Sequence, residues 1–339
     1  MRLFCLTAFS GLFAVIFFAA CGGPSADEEE SPGELSLYSG RSQALVEPLL
    51  REFEKDTGIR VRARFGGTPQ LAIALQEEGE RTRADLFWAQ DASALGSVRN
   101  LLMPLPEEVV GEIPLELRHE NNRWVATSGR ARVFAYSPRR TEGETLPETL
   151  EDLTSEQWRG RIGWAPANGS FQSFVTAMRV LQGEEAAKNW LAALAANEPK
   201  VYPNNTSLVQ AVAAGEVDLV LTNHYYLYRF LERDEDFPVA QSHFAGESPG
   251  NLVNYAGVGI LASSENREEA KIFVRWLLER RAQEYFVQDV FEYPVVEEIE
   301  ALPGMLPYEE LRELSPRINL EALEDMEGTI RMLRELDIL

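Results

Sequence analysis

Apolar and polar residues along this chain follow two alternating periods. Residues 34–38 and 59–65 (IRVRARF) alternate between apolar and polar positions, which is typical of strands. Between them, Leu45, Leu49 and Phe53 share one face of a predicted helix over 41–57, and Gly58 is suited to end that helix. The same order continues: we predict further strands at 85–89, 132–136, 161–165, 217–222 and 251–262, and helices at 69–80, 92–100, 170–181, 184–196, 207–214, 225–233 and 267–287.

This alternation of strands and helices predicts an α/β fold with sheets covered by helices on both faces. Ligands of such sheets bind at the carboxyl ends of the strands, so the loops after each strand are the informative positions. After the amino-terminal segment roughly 300 residues remain, which exceeds the usual size of one core and indicates two lobes.

The amino-terminal segment predicts export. Arg2 precedes an apolar run over 6–20, which is short for a membrane span and ends in Ala19-Ala20-Cys21. We interpret residues 1–20 as a lipoprotein signal peptide, Cys21 as the lipid anchor, and the acidic residues 21–33 as a disordered tether. An ordinary signal peptide with a chance cysteine is the alternative. Because Cys5 is the other cysteine, the mature chain would contain no disulfide and no thiolate metal site.

Charge and motif content exclude several functions. The net charge of −22 argues against nucleic acid and an anionic membrane surface as partners, which leaves the lipid anchor as the membrane contact. The three histidines lack zinc-ligand spacing, and neither a nucleophile elbow nor a phosphate-binding glycine loop is found. We therefore predict that the protein is not an enzyme.

The residues 217–230 (VDLVLTNHYYLYRF) contain the sharpest local signal. A buried strand leads to Asn223, which is suited to cap the next helix, and Tyr225 and Tyr226 fall in its first turn. Neighbours on a regular helix point about 100° apart, so both can face one ligand only at an irregular start. A phenolate is a hard donor that suits ferric iron, which would have to displace the phenol proton. The alternative is a tyrosine pair that packs at the edge of a lobe.

Several loops contain candidate groups for binding an anion. Asn168, Gly169 and Ser170 begin the helix after strand 161–165, and Asn205 lies at another helix start. Ser39 and Arg41 follow the first strand, where a plain turn is the alternative. Arg130 and Arg132 share one strand face and could bring positive charge to a cleft, or could lie at a solvated edge.

Taken together, these segments resemble the bacterial ferric-iron-binding proteins of ABC importers. The resemblance extends from about residue 35 to 296 and is most specific at AAGEVDLVLTNHYY. It implies a type 2 periplasmic-binding-protein fold with two lobes, each a mixed sheet flanked by helices, and a ligand cleft between them. Chain crossings would fall near 127–133 and 251–257. The first lobe would comprise 34–127 plus about 256–300, and the second 128–255 plus about 301–339.

The resemblance also implies roles for particular residues. Tyr225 and Tyr226 match the paired iron-binding tyrosines, and a synergistic anion, carbonate or phosphate, would lie at Asn168, Gly169 and Ser170. Asn205 and Asn223 match positions that hold this anion in some members. Of the two strand arginines, Arg130 is the one expected to help bind the anion. The chain departs from the family at Ser42 and Gln43, where many members have a His or Tyr, and at Gln90, where some have a carboxylate. A further ligand could come from Gln90, Asp91, Tyr136, Tyr255 or a bidentate carbonate.

The function implied is capture of ferric iron, with its anion, by a monomeric lipid-anchored protein that faces the periplasm or the cell exterior. The permease of an ABC importer would be the receiving partner. Two alternatives stay open. The same fold could bind a small organic or anionic solute such as thiamine, a polyamine, a phosphonate or a sugar. The chain could also be a lipid-anchored sensor or scaffold.

Overall fold

The computed structural model describes residues 33–296 and 299–339. The predicted signal peptide, Cys21 and nearly all of the tether lie outside the described residues. Within these ranges, no helix has the length and apolar character needed to cross a membrane.

One mixed sheet of nine strands organises the described chain, in the order β2-β1-β3-β9-β4-β7-β5-β6 with β8 also paired to β4. The pairs of β1 with β2 and β3, and of β5 with β6 and β7, are parallel, whereas β4 and β9 pair antiparallel with their neighbours. The strands are β1 Glu34–Ser39, β2 Arg60–Phe65, β3 Leu86–Ala89, β4 Val125–Tyr136, β5 Ile162–Trp164, β6 Lys200–Val201, β7 Leu219–Asn223, β8 Ala240–Ser242 and β9 Val253–Ile260.

Helices cover both faces of this sheet. Their starts and ends follow local signals, such as Gly58, which ends α1 in the left-handed region at φ 75° while its amide donates to the carbonyl of Glu54. The α-helices are α1 Gln43–Thr57, α2 Thr68–Glu78, α3 Ala92–Ser97, α4 Glu107–Val110, α5 Gly169–Gln182, α6 Glu184–Ala196, α7 Asn205–Ala214, α8 Tyr225–Leu231, α9 Arg267–Leu278, α10 Arg280–Gln288, α11 Tyr308–Leu314 and α12 Met326–Glu335.

Strands β4 and β9 connect the two halves of the sheet. The first half of β4 pairs with β9, and its second half pairs with β7 and β8, with a bulge in the β9 pairing between Ala126 and Ser128. The sequence predicted only residues 132–136 of β4 as a strand, because Thr127, Ser128, Gly129 and Arg130 interrupt its apolar pattern.

The apolar cores follow this division. One core contains β1, β3 and β9 with α1 and α9. The other half has a core on each face of its sheet: Phe134 and Leu219 point into one, and their neighbours Ala135 and Val220 point into the other. This alternation is the expected consequence of a sheet buried on both faces.

Further sequence predictions also differ from the structure. The predicted helix over 267–287 is two helices, because Glu279 adopts an extended conformation (φ −71°, ψ 152°) between α9 and α10. The buried Gln283 amide donates to the carbonyl of Leu277 at 2.7 Å, which satisfies the broken end of α9.

The carboxy-terminal segment, residues 301–339, was assigned as a whole to the second lobe, and its packing differs from that assignment. Met305, Leu311, Leu320 and Leu323 are buried in the core of the first half, and only Met332, Leu333 and their neighbours near the carboxy terminus pack on the second. The 3₁₀ helix Leu320–Glu324 lies between these parts and packs against both α3 and α5. This segment therefore joins the two halves a third time, in addition to β4 and β9.

Candidate functional site

A cavity of about 180 Å³ lies where the two halves of the molecule meet. Its walls come from the ends of β3, β5 and β7 and from the crossing strands β4 and β9, as the strand-end rule predicts. The lining residues are Gln90, Asp91, Arg130, Arg132, Asn168, Gly169, Ser170, Ser173, Asn223, Tyr225, Tyr226, Leu252 and Asn254.

Tyr225 and Tyr226 both face this cavity from the start of α8. Their ring centroids lie 4.3 Å apart with the ring planes 30° apart. Because consecutive residues of a regular helix diverge, this side-by-side arrangement depends on their place at the first turn. Tyr225 is buried, whereas Tyr226 is half-buried. Two phenol oxygens can thus approach one ligand.

The electrostatic setting keeps the Tyr225 phenol neutral until a cation arrives. Burial raises the pKa of Tyr225 above its ordinary value, and the neighbouring Tyr226 raises it further, while Arg130 opposes both. Burial also lowers the pKa of Arg132 to about 10, although the two tyrosines favour its charge. Arg132 therefore still carries a positive charge beside the phenols at neutral pH.

A second part of the wall comes from the start of α5, which follows β5, the parallel neighbour of β7. The Asn168 Oδ1 caps this helix by accepting hydrogen bonds from the Ser170 amide at 3.0 Å and the Ser170 hydroxyl at 2.6 Å. The Asn205 Nδ2 donates to the Ser170 hydroxyl at 3.0 Å, and its Oδ1 is buried without a hydrogen-bond partner. The structure thus brings the predicted residues Asn168, Gly169 and Ser170 to the cavity, with Asn205 directly behind them.

Asn223 reaches the cavity in a different role from the predicted helix cap. The residue before α8 is His224, which makes no side-chain cap. The Asn223 Oδ1 instead accepts a hydrogen bond from the Arg132 Nη1 at 3.2 Å, and the same nitrogen lies 3.4 Å from the Ser170 hydroxyl. Arg132, which the sequence analysis ranked below Arg130, therefore contacts both the helix start and the strand end.

The remaining wall contains Gln90, Asp91 and Arg130. The Arg130 guanidinium donates to the backbone carbonyl of Gln90, and its Nε is buried without a partner. The Asp91 Oδ1 caps α3 by accepting from the Ala94 amide at 3.0 Å. Gln90 and Asp91 thus line the cavity as predicted for possible extra ligands, although Asp91 is already engaged by its own helix.

Arg41 and Ser39 do not reach the cavity, which corrects their assignment to an anion site. The Arg41 guanidinium is buried and donates to the Glu292 carboxylate at 2.8 Å and to the Gln90 side-chain oxygen at 3.3 Å. Burial alone would raise the pKa of Glu292, but Arg41 and Arg130 hold it below its ordinary value. Ser39 is buried, and its hydroxyl accepts from the Arg41 amide at 3.3 Å. Both residues support the wall behind Gln90.

Tyr136 and Tyr255, two of the possible further ligands, are likewise not brought to the cavity. Tyr136 lies four residues beyond Arg132 along β4, roughly 13 Å at the usual rise of a strand, and packs against Phe134. Tyr255 follows the lining residue Asn254, so strand alternation points it to the other face, where its hydroxyl lies 3.1 Å from that of Tyr308.

No sequence pattern predicted a role for Ser173, Leu252 or Asn254, which line the cavity, or for Glu292, which supports its wall. Asn254 had a signal, since it is a polar residue inside the apolar run 251–262; it lies opposite Arg130 in the β4–β9 pairing, and its Oδ1 is buried without a partner. No sequence signal marks Glu292, because its role depends on an ion pair with Arg41, which is distant in the chain. In the described part of the chain, no group of three or more His, Cys, Asp or Glu side chains is arranged to hold a metal ion.

Comparison with known proteins assigns the chain to a family. A family profile described as bacterial extracellular solute-binding protein matches residues 85–316, more than half of the chain. The chain belongs to this family. The major ferric iron-binding protein of Neisseria meningitidis serogroup B is 31% identical over 311 residues, which cover 89% of this chain and 92% of that protein. The resemblance inferred from the sequence is thus confirmed.

Solved structures of relatives agree. The iron-bound HitA from Pseudomonas aeruginosa superposes with a TM-score of 0.83 at 32% identity, covering 90% of this chain and 99% of that one. A Trichodesmium protein (IdiA, FutA) in complex with iron and citrate superposes with a TM-score of 0.78 at 26% identity, covering 91% of this chain and all of that one (100%). These similarities confirm the two-lobed type 2 periplasmic-binding-protein fold.

Proposed function

We propose that this protein captures ferric iron outside the cytoplasm, with Tyr225 and Tyr226 as the protein ligands. The observation that carries the proposal is the pair of phenols, whose ring centroids lie 4.3 Å apart. They face a cavity that is also lined by two buried arginines. Hard, anionic oxygen donors suit Fe³⁺, and relatives that are named for ferric iron share the chain's fold over most of its length.

Charge balance explains why an anion would accompany the iron. Fe³⁺ with two phenolates retains one positive charge, and Arg130 and Arg132 add two more to the same cavity. Asp91 is the carboxylate among the residues that line the cavity, and one carboxylate cannot neutralise this sum. A dianion such as carbonate or hydrogen phosphate would reduce the excess and fill the remaining coordination positions.

The polar wall offers donors for that anion. Arg132, Arg130 and the start of α5 at Gly169 and Ser170 line the same cavity as the phenols, and Asn223 and Asn205 contact Arg132 and Ser170 respectively. In this proposal the phenol protons are released to solvent as iron–oxygen bonds form. Closure of the lobes is favoured to the extent that the closed form binds iron and anion more tightly than the open form does.

The wider setting of the proposal rests on the amino-terminal sequence and on the family. We propose that Cys21 carries lipid, that the protein acts as a monomeric binding protein without enzymatic activity, and that it delivers iron to the permease of an ABC importer. A Cys21→Ser chain should then leave the membrane fraction and appear in the soluble extracytoplasmic fraction. Retention of that variant in the membrane would contradict the anchor.

A visible absorption titration tests the iron assignment. The soluble domain, from residue 33, is titrated with ferric citrate in bicarbonate buffer. Phenolate-to-iron charge transfer should produce a band in the blue-green that saturates near one iron per chain and is lost in the Tyr225→Phe plus Tyr226→Phe variant.

Tyr228→Phe is the matched control, because Tyr228 lies on the same helix but outside the residues that line the cavity. It should keep the band. A wild-type chain that shows no band and no thermal stabilisation by iron would contradict iron capture and direct the search to organic solutes.

A further inference from the structure

Arg229 lies over both tyrosines. It follows Tyr225 by four residues and Tyr226 by three on α8, which places all three side chains on adjoining faces of one helical turn. Its guanidinium carbon lies 4.7 Å from the ring centroid of Tyr225 and 5.6 Å from that of Tyr226. These distances are typical of a cation–π contact.

In the described part of the chain, Arg229 differs from three of the four other arginines that lie over aromatic rings, because those three are paired with carboxylates; the fourth, Arg132 over Phe174, forms no such ion pair either. Arg64, Arg161 and Arg312 also lie over aromatic rings, and each is paired with a nearby carboxylate: Glu78, Asp218 and Glu116 respectively. Among the residues that the structure describes, no carboxylate forms an ion pair with Arg229, and its Nη2 is buried without a hydrogen-bond partner.

An unpaired guanidinium against a pair of phenols has an electrostatic consequence. A cation is attracted modestly to the face of a neutral aromatic ring, and much more strongly once the ring carries the negative charge of a phenolate. The planar guanidinium can also stack on a ring in a fixed orientation, which a lysine ammonium cannot do. Arg229 therefore has its strongest partners only when the tyrosines are ionised.

We propose that Arg229 is a positioning residue for iron capture, holding the two phenol rings side by side and placing over their faces a positive charge that favours the phenolate form. This inference rests on the proposed function of the Tyr225–Tyr226 pair. It adds a contact from outside the cavity, on the ring faces, to the groups that surround the phenol oxygens.

The test compares Arg229→Gln with wild type in the ferric citrate titration. Loss of the nearby positive charge raises the energy of the phenolate donor orbitals, so the charge-transfer band should move to longer wavelength. Iron affinity in competition with citrate should fall by roughly tenfold, the order expected for a partly buried cation–π contact. Arg229→Lys keeps the charge and should restore the band position and part of the affinity.

Arg233→Gln is the matched control, because it removes the same charge from an exposed position one turn further along. It should leave band and affinity unchanged. If the far-ultraviolet circular dichroism spectrum shows that Arg229→Gln is not folded, Arg229→Met is tested in its place. Methionine retains an apolar side chain of similar length without the charge.

The outcomes separate this inference from the proposed function. If wild type shows the tyrosinate band and Arg229→Gln or Arg229→Met shows it at the same wavelength, the role of Arg229 is overturned. Iron capture by the tyrosine pair is then unaffected. A weaker affinity without a band shift would also overturn it, because that result indicates only a structural contribution. If wild type has no band at all, both proposals fall.

Discussion

Individual buried charges determine the shape of the candidate site. Arg41 and Glu292 are both buried and are separated by 251 positions, yet their ion pair supports the wall that contains Gln90. The Glu292 carboxylate also accepts from the Ser128 hydroxyl at 2.5 Å, which ties the pair to the crossing strand β4. A buried charge with its partner removed is strongly destabilising, because the remaining charge cannot be solvated.

Glu292→Gln should therefore destabilise the iron-free protein by about 3–5 kcal/mol, since it leaves the Arg41 guanidinium buried without a counter-charge. Urea denaturation would measure the free energy of unfolding. Glu52→Gln is the control: Glu52 pairs with Arg281 at an exposed position, and its loss should cost less than about 1 kcal/mol. Equal effects of the two substitutions would show that the buried pair has no special importance.

The buried His224 and the half-buried His243 predict how stability varies with pH. Burial lowers the pKa of His224 and of His243 to about 4. In the unfolded chain both have a pKa near 6.5, so between these values the unfolded state binds more protons and stability falls as pH falls. The iron-free protein should lose about 2 kcal/mol per histidine between pH 7 and pH 5.

Urea denaturation at the two pH values checks this, with His243→Gln as the informative variant. That variant should lose less stability than wild type across the same interval. A wild-type free energy of unfolding that stays constant from pH 7 to pH 5 would contradict the expectation.

Most elements could be predicted from periodicity, and the exceptions have local physical reasons. Strand β4 was predicted too short because its polar residues are buried rather than exposed: Arg130 lines the cavity, whereas Thr127 and Ser128 form hydrogen bonds with Trp88 and Glu292. The sequence of helices α9 and α10 has one continuous amphipathic pattern, so it predicts a single helix. The break at Glu279 is stabilised by a hydrogen bond from the Gln283 side chain, which no local pattern shows. The position of the carboxy-terminal segment also depends on tertiary contacts, because its short apolar runs fit either core.

One buried arginine contributes polar contacts to the attachment of helix α12, beside the packing of Met332 and Leu333. The Arg179 Nη1 donates to the Asp325 carbonyl at 2.8 Å and to the Thr329 hydroxyl at 2.9 Å, which itself lies 2.7 Å from the Thr176 hydroxyl. Arg179→Met should loosen this attachment and raise amide hydrogen exchange across Met326–Glu335, without affecting β4 and β9. Arg331→Met, an exposed change on α12 itself, should leave the exchange as in wild type.

At the scale of the whole molecule, the two lobes and the position of the cleft could be predicted from the order of the elements and from the family resemblance. The site was predictable where chemistry was concentrated in a short segment, as at Tyr225 and Tyr226 or at Asn168 to Ser170. It was not predictable where a side chain's direction decided its role, as for Arg41 and Tyr255, because facing the cavity or the core depends on partners distant in sequence.

Iron capture at a site between two halves predicts a change of shape. Iron with bicarbonate should reduce the radius of gyration in small-angle X-ray scattering if the lobes close on the cargo. The Tyr225→Phe plus Tyr226→Phe variant should show no such change under the same conditions. An unchanged radius in wild type with a saturated charge-transfer band would show that capture occurs without closure.

The place of β9 in the sheet has a consequence for how the chain folds. β9 lies between β3 and β4, yet the chain reaches it only after β5, β6, β7 and β8 have been synthesised. Until it arrives, the apolar strand β3 (LFWA) remains an open edge, and pairing across such a long separation is slow. The sheet of the first half is therefore completed after the sheet of the second half, although the first half begins earlier in the chain. A secretion machinery that threads the chain in order would handle the first half while its sheet still lacks β9.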